Sequence, residues 1–164
     1  MLQNEISFHE KIQSNRTTLL FVVLILVFAA LAFWRMNSRS LDSLCILLFV
    51  FAGFFLFYTI NYRTLSISIN SEKVLLKFGV FKWMIPMNNI AACELDNNLP
   101  AGKEYGGAGI HFFVAHQRYR ISFNFLEYDR VVLRLKSPRG AVKDVSFTTR
   151  KADEVLQIIQ AQIH

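Results

Sequence analysis

The chain has 164 residues, of which 53% are hydrophobic, and it carries a formal net charge of +6. That length accommodates one ordinary domain and an anchor. The two cysteines, Cys45 and Cys93, form no CxxC pair, which excludes a scaffold stapled by several disulfides. The apolar residues are concentrated in two stretches near the N-terminus, so the composition predicts a membrane anchor followed by a basic domain.

Two uncharged stretches predict transmembrane helices at residues 17–34 and 43–60. Each would span about 27 Å as a helix, close to the thickness of the hydrocarbon core. Lipid offers no partner to backbone N–H and C=O groups, so both stretches must be helical. We therefore expect an antiparallel transmembrane hairpin that follows an N-terminal tail, residues 1–16.

The cations that flank these stretches predict the orientation. The short connection between them contains Arg35 and Arg39. The opposite side has a larger basic set, which comprises Lys11, Arg16, Arg63, Lys73 and Lys77. The positive-inside rule then predicts that both chain ends and the domain lie in the cytoplasm, at the inner or plasma membrane of the cell. The alternative is a signal peptide cleaved near Ala30-Leu31-Ala32, which would leave the second stretch as the anchor.

After the anchor the apolar pattern has a period of two, which predicts β-strands. Leu65, Ile67 and Ile69 alternate with polar residues in the first strand. Further strands are predicted at 73–78, 81–85, 90–95, 110–115, 119–125, 131–136 and 142–147, with turns at 116–118 and 137–140 and a glycine-rich loop at 97–109. Helical spacing returns at about 150–163. The predicted fold class is membrane-anchored α+β, in which residues 61–164 form an antiparallel sheet or partial barrel capped by a C-terminal α-helix.

Three segments of this domain resemble bacterial pleckstrin-homology-like (PH-like) domain proteins. Residues 77–90 are similar to a G-x-F…I-P-x-x-x-I segment of that family, and residues 105–110 to its glycine-rich strand entry. Residues 131–136 with 145–149 resemble its last two strands. The resemblance covers about residues 61–162. It implies a bent seven-stranded sheet capped by a helix and no single biochemical activity, and some small membrane-anchored relatives resemble immunity proteins against secreted peptides.

No pattern indicates catalysis, a metal site or a cofactor. His111 and His116 would face opposite sides of a continuous strand, which makes them poor co-ligands. The glycines at 106–109 lead into a strand, whereas a phosphate-binding loop leads into a helix. Glu94 and Asp96 share a strand face but have no visible partner for acid–base chemistry. We therefore expect a protein that is not an enzyme and that binds no metal or cofactor.

Basic residues provide the candidate binding site. From Asn61 onward the chain has 14 Lys and Arg against 9 Asp and Glu, a balance that suits an anionic membrane surface or a nucleic acid. The neighbouring aromatic residues fall mostly on the apolar strand face, where they cannot stack on bases, so no nucleic acid is expected. The candidate residues for binding lipid or a partner are Arg118, Arg120, Arg134, Lys136, Arg139 and Lys143.

The sequence thus predicts a non-enzymatic, membrane-anchored PH-like interaction module at the cytoplasmic membrane face. Its partner would be an anionic lipid headgroup or a protein. The alternative is an immunity or protective membrane protein that intercepts a membrane-active peptide. The sequence specifies no oligomeric state.

Overall fold

The computed structural model describes residues 6–39, 41–96, 109–115, 117–125 and 127–163. The chain divides into two compact units. Residues Gln13–Thr64 form a helical unit, and Met1–Ile12 together with Leu65–His164 form a β unit. Along the chain, the helical unit is therefore an insertion close to the start of the β unit.

The helical unit consists of α1 (Asn15–Arg39) and α2 (Ser43–Tyr62). Both helices are long and apolar enough to cross a membrane, by length and composition. An apolar helix in the core of a soluble protein is mostly buried, whereas only 6% of the candidate span in α1 and 11% of that in α2 are buried. The two predicted helices are confirmed, and each extends slightly beyond its predicted bounds.

Aromatic rings pack α1 against α2. Phe21, in the first half of α1, lies 6.0 Å from Phe55, in the second half of α2, measured between ring centroids. Phe33, in the second half of α1, lies 5.5 Å from Phe49, in the first half of α2. The contacts run in opposite directions along the two helices, so the helices form an antiparallel hairpin. Each such ring pair contributes about 0.5–1.5 kcal/mol beyond the area that it buries.

An ion pair closes the turn between the two helices. Arg35 Nε donates to Asp42 Oδ1 at 3.0 Å, and Arg35 Nη2 donates to Asp42 Oδ2 at 2.5 Å. Asp42 also caps α2, because its Oδ1 accepts the backbone N–H of Cys45 at 2.9 Å. The bond from Arg35, aided by that from Cys45, lowers the pKa of Asp42 to about 2. The pair therefore neutralises one of the two arginines that the sequence assigns to this turn.

We expect the Asp42 carboxyl group to titrate near pH 2 in the native chain, and closer to its ordinary pKa of 3.8 in an Arg35→Gln variant. Because the folded-state pKa is lowered, the ion pair stabilises the turn above pH 3.8 and its contribution is lost as the pH falls towards 2. Carboxyl ¹³C NMR of the full chain in detergent micelles measures both midpoints. Equal midpoints in the two chains would contradict the ion pair.

The β unit contains two sheets and one helix. The four-stranded sheet has the order β1 (Ile6–Gln13), β2 (Thr64–Asn70), β3 (Lys73–Phe78), β4 (Phe81–Pro86). The five-stranded sheet has the order β5 (Ile90–Leu95), β8 (Asp129–Arg139), β9 (Val142–Thr149), β7 (Arg118–Asn124), β6 (Gly109–Ala115). A 3-10 turn, Met87–Asn89, joins the two sheets, and α3 (Ala152–Ile163) follows β9.

The core lies between the two sheets. Leu65, Ile67 and Ile69 of β2 are fully buried, as their alternation predicts. Phe78 of β3, the partner of Leu65 in register, reaches across to the other sheet. Its ring meets that of Phe125 edge-on, with 5.2 Å between centroids. On α3, the fully buried residues of the predicted apolar face pack towards β5.

The architecture differs from the prediction in three respects. Residues 6–13 of the predicted tail (1–16) form β1, which pairs with β2. The described residues hold nine strands in two sheets, whereas the resemblance implies one bent sheet of seven. Strands β7 and β9 pair in parallel, so the second sheet is mixed. Strands β6 and β7 form one hairpin, and β8 and β9 form another. The second strand of each hairpin, β7 and β9, lies next to the other, and these two strands pair in parallel.

Two turn predictions have different outcomes. Residues 137–139 of the predicted turn at 137–140 continue β8, and the chain reverses at Gly140, whose φ of +62° favours glycine. In the predicted turn 116–118, Gln117 has a φ of +62° and β7 begins at Arg118. His116 and all but the last residue of the predicted loop 97–109 lie outside the described residues.

Candidate functional site

The structure divides the six predicted basic residues into two groups. Three are paired with carboxylates, and these are Arg118, Arg120 and Arg134. The other three lie near the reversal between β8 and β9, and these are Lys136, Arg139 and Lys143. The six therefore do not form one exposed basic surface.

Arg120 is buried, although the sequence analysis names it as a candidate residue for binding lipid or a partner. Its side chain is 5% exposed, and its Nη1 donates to Asp96 Oδ2 at 2.9 Å. Its Nη2 lies 3.8 Å from Asp144 Oδ2. Arg120 and Ile121 point to opposite faces of β7, and both side chains are buried.

Buried polar side chains line this face of the five-stranded sheet. We call them the polar layer, and its members are Asp96, Arg120, Ser122, Asn124, Arg130, Asp144, Ser146 and Thr148. Strand register aligns Arg120 with Asp144 and Ser122 with Ser146. Arg130 bridges two members, since its Nη1 lies 3.4 Å from Asp96 Oδ2 and its Nε donates to Asn124 Oδ1 at 3.2 Å. The sequence shows this layer only as polar residues in a period of two.

The polar layer contains two serine side chains, and a histidine of β6 lies opposite one of them. The hydroxyl groups of Ser122 and Ser146 are buried, and among the residues that the structure describes they have no hydrogen-bond partner. His111 lies opposite Ser122 in register, yet no hydrogen bond joins them, and a serine nucleophile requires such a base. Outside the layer, burial raises the pKa of the Cys93 thiol to about 12, so it is protonated at neutral pH. Within the described residues, no cluster of side chains could hold a metal ion.

Arg118 and Arg134 form ion pairs nearer the surface. Arg118 Nε donates to Asp144 Oδ1 at 2.8 Å, and Arg134 Nη2 donates to Glu94 Oε2 at 2.8 Å. The pair of Arg134 is about half exposed on both sides. Each arginine is thus largely compensated by a neighbouring carboxylate, which weakens its attraction for an anionic surface.

Arg139 joins the two sheets at an edge. Its guanidinium lies 4.8 Å from the ring centroid of Trp83, and its Nη1 donates to the carbonyl oxygen of Met84 at 2.6 Å. Asn89 supports the same junction through two bonds with the backbone of Ser137. Arg139 therefore satisfies a backbone acceptor of β4.

A second basic surface lies on the outward side of the four-stranded sheet. We call it the lysine face, and it comprises Lys11, Lys73, Lys77 and Lys82. Lys77 and Lys82 are partners in register on β3 and β4, and Lys73 lies on the same side of β3 as Lys77. Lys11 shares its side of β1 with His9, whose ring bonds to the outward-facing Ser68.

The outward positions of these four strands contain no acidic residue. Glu10, the acidic residue of β1, points to the opposite side, where it accepts a hydrogen bond from Thr149. The lysine face therefore differs from the predicted basic set, in which three of six cations have carboxylate partners. Lys73 and Lys77 alternate visibly with buried residues in the sequence, but register is needed to add Lys82.

An exposed apolar turn lies at the end of the lysine face. Strands β3 and β4 are joined by Gly79 and Val80, because Phe78 and Phe81 are partners in register. Gly79 has a φ of +53°, which suits a two-residue hairpin turn. Val80 is 70% exposed and Phe81 is 42% exposed.

Comparison of the chain with models of protein families, with curated proteins and with solved structures finds no match. The PH-like resemblance therefore stays a prediction. The apolar helices of the helical unit and the lysine face of the β unit are therefore the features that bear on function.

Proposed function

We propose that the chain is a non-enzymatic, membrane-anchored interaction module that binds anionic lipid through the lysine face. The observation that carries this proposal is the set of four lysines on the outward side of one sheet, without an acidic residue at the outward positions of its strands. Each lysine near an anionic leaflet is worth about 1 kcal/mol of attraction. Several of them together exceed what the compensated arginines of the five-stranded sheet could supply.

The connection to the two helices supports this proposal. Ser14 alone separates β1 from α1, and Arg63 alone separates α2 from β2. If α1 and α2 cross the bilayer, these ends of β1 and β2 stay within a few ångströms of chain from the membrane. Lys11 of the lysine face lies on β1, and β2 pairs with β3, which holds Lys73 and Lys77, so anchoring would keep the lysine face near the lipid.

The turn between Lys77 and Lys82 adds a second mode of attachment. Val80 and Phe81 are apolar and exposed, and such residues insert at the boundary between headgroups and acyl chains. Lysine side chains can bury their methylene stems while the ammonium groups remain at the headgroups. The turn and its flanking lysines thus suit the two layers of a leaflet surface.

The cytoplasmic orientation belongs to the same proposal. The positive-inside rule favours this orientation, because five flanking cations lie on the side of the chain ends, whereas the turn between the helices contains Arg35 and Arg39. The cytoplasmic leaflet is also the one that carries anionic lipid in cell membranes. We retain the PH-like assignment of the β unit as part of the proposal, supported by the order of strands followed by a C-terminal helix.

The test uses the full chain reconstituted in vesicles, with an environment-sensitive dye at Val80→Cys. The native cysteines are both buried, which favours labelling at the introduced thiol. We expect the emission to shift to the blue as phosphatidylglycerol replaces neutral lipid, and the shift to decrease at high salt. Lys73→Glu, Lys77→Glu and Lys82→Glu together should weaken membrane contact by about 3 kcal/mol, roughly 100-fold.

The matched control reverses two exposed lysines elsewhere, Lys136→Glu and Lys143→Glu. These changes should leave the emission shift almost unchanged. A shift that is independent of phosphatidylglycerol, or one that the control variant abolishes and the triple variant does not, would reject the lysine face as the lipid-binding surface.

A further inference from the structure

Edge strands of a sheet can pair with another chain unless charge, proline, a bulge or a covering element prevents it. In the four-stranded sheet, β1 carries Lys11 on its outward side. At the other edge, β4 ends in Pro86, and Arg139 donates to the carbonyl oxygen of Met84. Both edges of this sheet are therefore protected against strand addition.

In the five-stranded sheet, the edge strand β5 is protected too. It carries Glu94, and its pairing with β8 is interrupted by a register shift between Ile90 and Ala92. Helix α3 packs against the same strand, where Gln160 donates to the carbonyl oxygen of Cys93 at 3.1 Å. A further strand would meet a charge, an irregular backbone and a helix here.

Within the part of the chain that the structure describes, the edge strand β6 has none of these features. Its sequence, Gly109–Ala115, contains no charged residue and no proline, and it pairs with β7 without a register shift. Among the described strands, β7 is the neighbour of β6 and the other side of β6 is an edge. Long neutral edges of this kind are sites of strand addition.

An exposed apolar patch accompanies this edge. Phe112 and Val114 of β6 are 69% and 58% exposed, and Tyr119 of β7, the partner of Val114 in register, is 57% exposed. The three side chains lie on one face of the sheet. Exposed apolar groups next to an unprotected strand edge indicate an interface.

We propose that β6 pairs with β6 of a second copy of this chain, in antiparallel fashion, to form a dimer through a continuous ten-stranded sheet. A two-fold axis at Phe113 would place Phe112 of each copy opposite Val114 of the other. The pairing is self-complementary, as a two-fold interface requires. Because the chain has a net charge of +6, a strand without charges is where two copies approach with least repulsion.

The patch also sets the strength of the dimer. Three such side chains bury on the order of 300–400 Å² per copy, less than the roughly 800 Å² per partner of a standard interface. Confinement of both copies in one bilayer raises their effective concentration and compensates for the small area. This step rests on the proposed membrane anchor, and it is independent of lipid binding by the lysine face.

The experiment measures energy transfer between donor- and acceptor-labelled full chains in vesicles, at several ratios of protein to lipid. We expect dimers to form with increasing density in the native chain. Val114→Lys should raise the apparent dissociation constant of the dimer by about tenfold or more. The substitution removes an apolar contact and places two cations near each other. Val80→Lys is the matched control at another exposed valine, which belongs to the β3–β4 turn of the other sheet, and it should leave the dimer unchanged.

A mixed sample tests the pairing register and shows that the variants are folded. When chains with Val114→Lys are combined with chains carrying Phe112→Glu, the introduced charges face each other and energy transfer should recover. Mixing Val114→Lys chains with Val80→Glu chains should give a smaller recovery, because one cation then faces the native Phe112 without an opposite charge. The proposal is overturned if the native chain stays monomeric at every density, if Val114→Lys leaves the dimer intact, or if the complementary mixture gives no recovery. Monomers that still show the blue shift at position 80 would overturn the dimer and leave the lipid-binding proposal standing.

Discussion

Asp96→Ala should lower the free energy of unfolding of the β unit by about 3–5 kcal/mol. Asp96 is 5% exposed and lies between two guanidinium groups, at 2.9 Å from Arg120 and 3.4 Å from Arg130. Its removal leaves two buried cations with less compensation, and the cost of a buried charge rises steeply when a partner is lost. Thermal and urea unfolding of the full chain in detergent, followed by the β-sheet circular dichroism, measures the loss.

Glu94→Ala is the matched control for this prediction. Glu94 lies on β5, two residues before Asp96, and also pairs with an arginine, but both members of the Glu94–Arg134 pair are about half exposed. Exposed ion pairs contribute about 0–1 kcal/mol, so we expect a loss in that range. Equal losses for Asp96→Ala and Glu94→Ala would contradict the view that the polar layer is a buried and mutually dependent network.

The sequence predicts which residues share a strand face, but it does not predict whether a polar face is buried. In β2, the alternation that ends at Ile69 predicts the buried face correctly, because one side of that strand is apolar and the other is polar. In β7, Arg120 and Ser122 alternate with apolar residues in the same way, and the pattern is identical whether the polar side meets water or protein. Only the tertiary structure distinguishes these cases, and for that reason the sequence does not show that the candidate binding residue Arg120 is buried.

The lysine face required non-local information for a similar reason. The spacing of Lys73 and Lys77 places both on one side of β3, and this much is readable from the sequence. Lys82 joins them only through the two-residue turn that fixes the β3–β4 register. Lys11 joins through the pairing of β1 with β2, which brings together strands separated by both long helices. No local pattern contains that pairing, so residues 6–13 were predicted as part of a tail.

Phe78→Ala should lower the free energy of unfolding by about 3–5 kcal/mol, as expected for removal of a fully buried aromatic ring. Phe78 belongs to the four-stranded sheet, and its ring lies 5.2 Å from that of Phe125 and 6.4 Å from that of Phe123, between centroids. Those two residues belong to the end of β7 and its continuation in the other sheet. The substitution therefore leaves a cavity between the sheets and removes aromatic contacts that join them.

Phe81→Ala provides the matched control, because Phe81 is the partner of Phe78 in register and is 42% exposed. We expect it to cost about 1 kcal/mol or less, since partly exposed side chains leave smaller cavities. If the two sheets fold as one unit, Phe78→Ala should move a single unfolding transition to lower temperature. The fluorescence of Trp83 in one sheet and amide exchange in the other sheet should then report the same transition. Destabilisation of the four-stranded sheet alone would contradict a shared core. It would also mean that the lysine face can lose its register while the five-stranded sheet, and with it the β6 edge, stays intact.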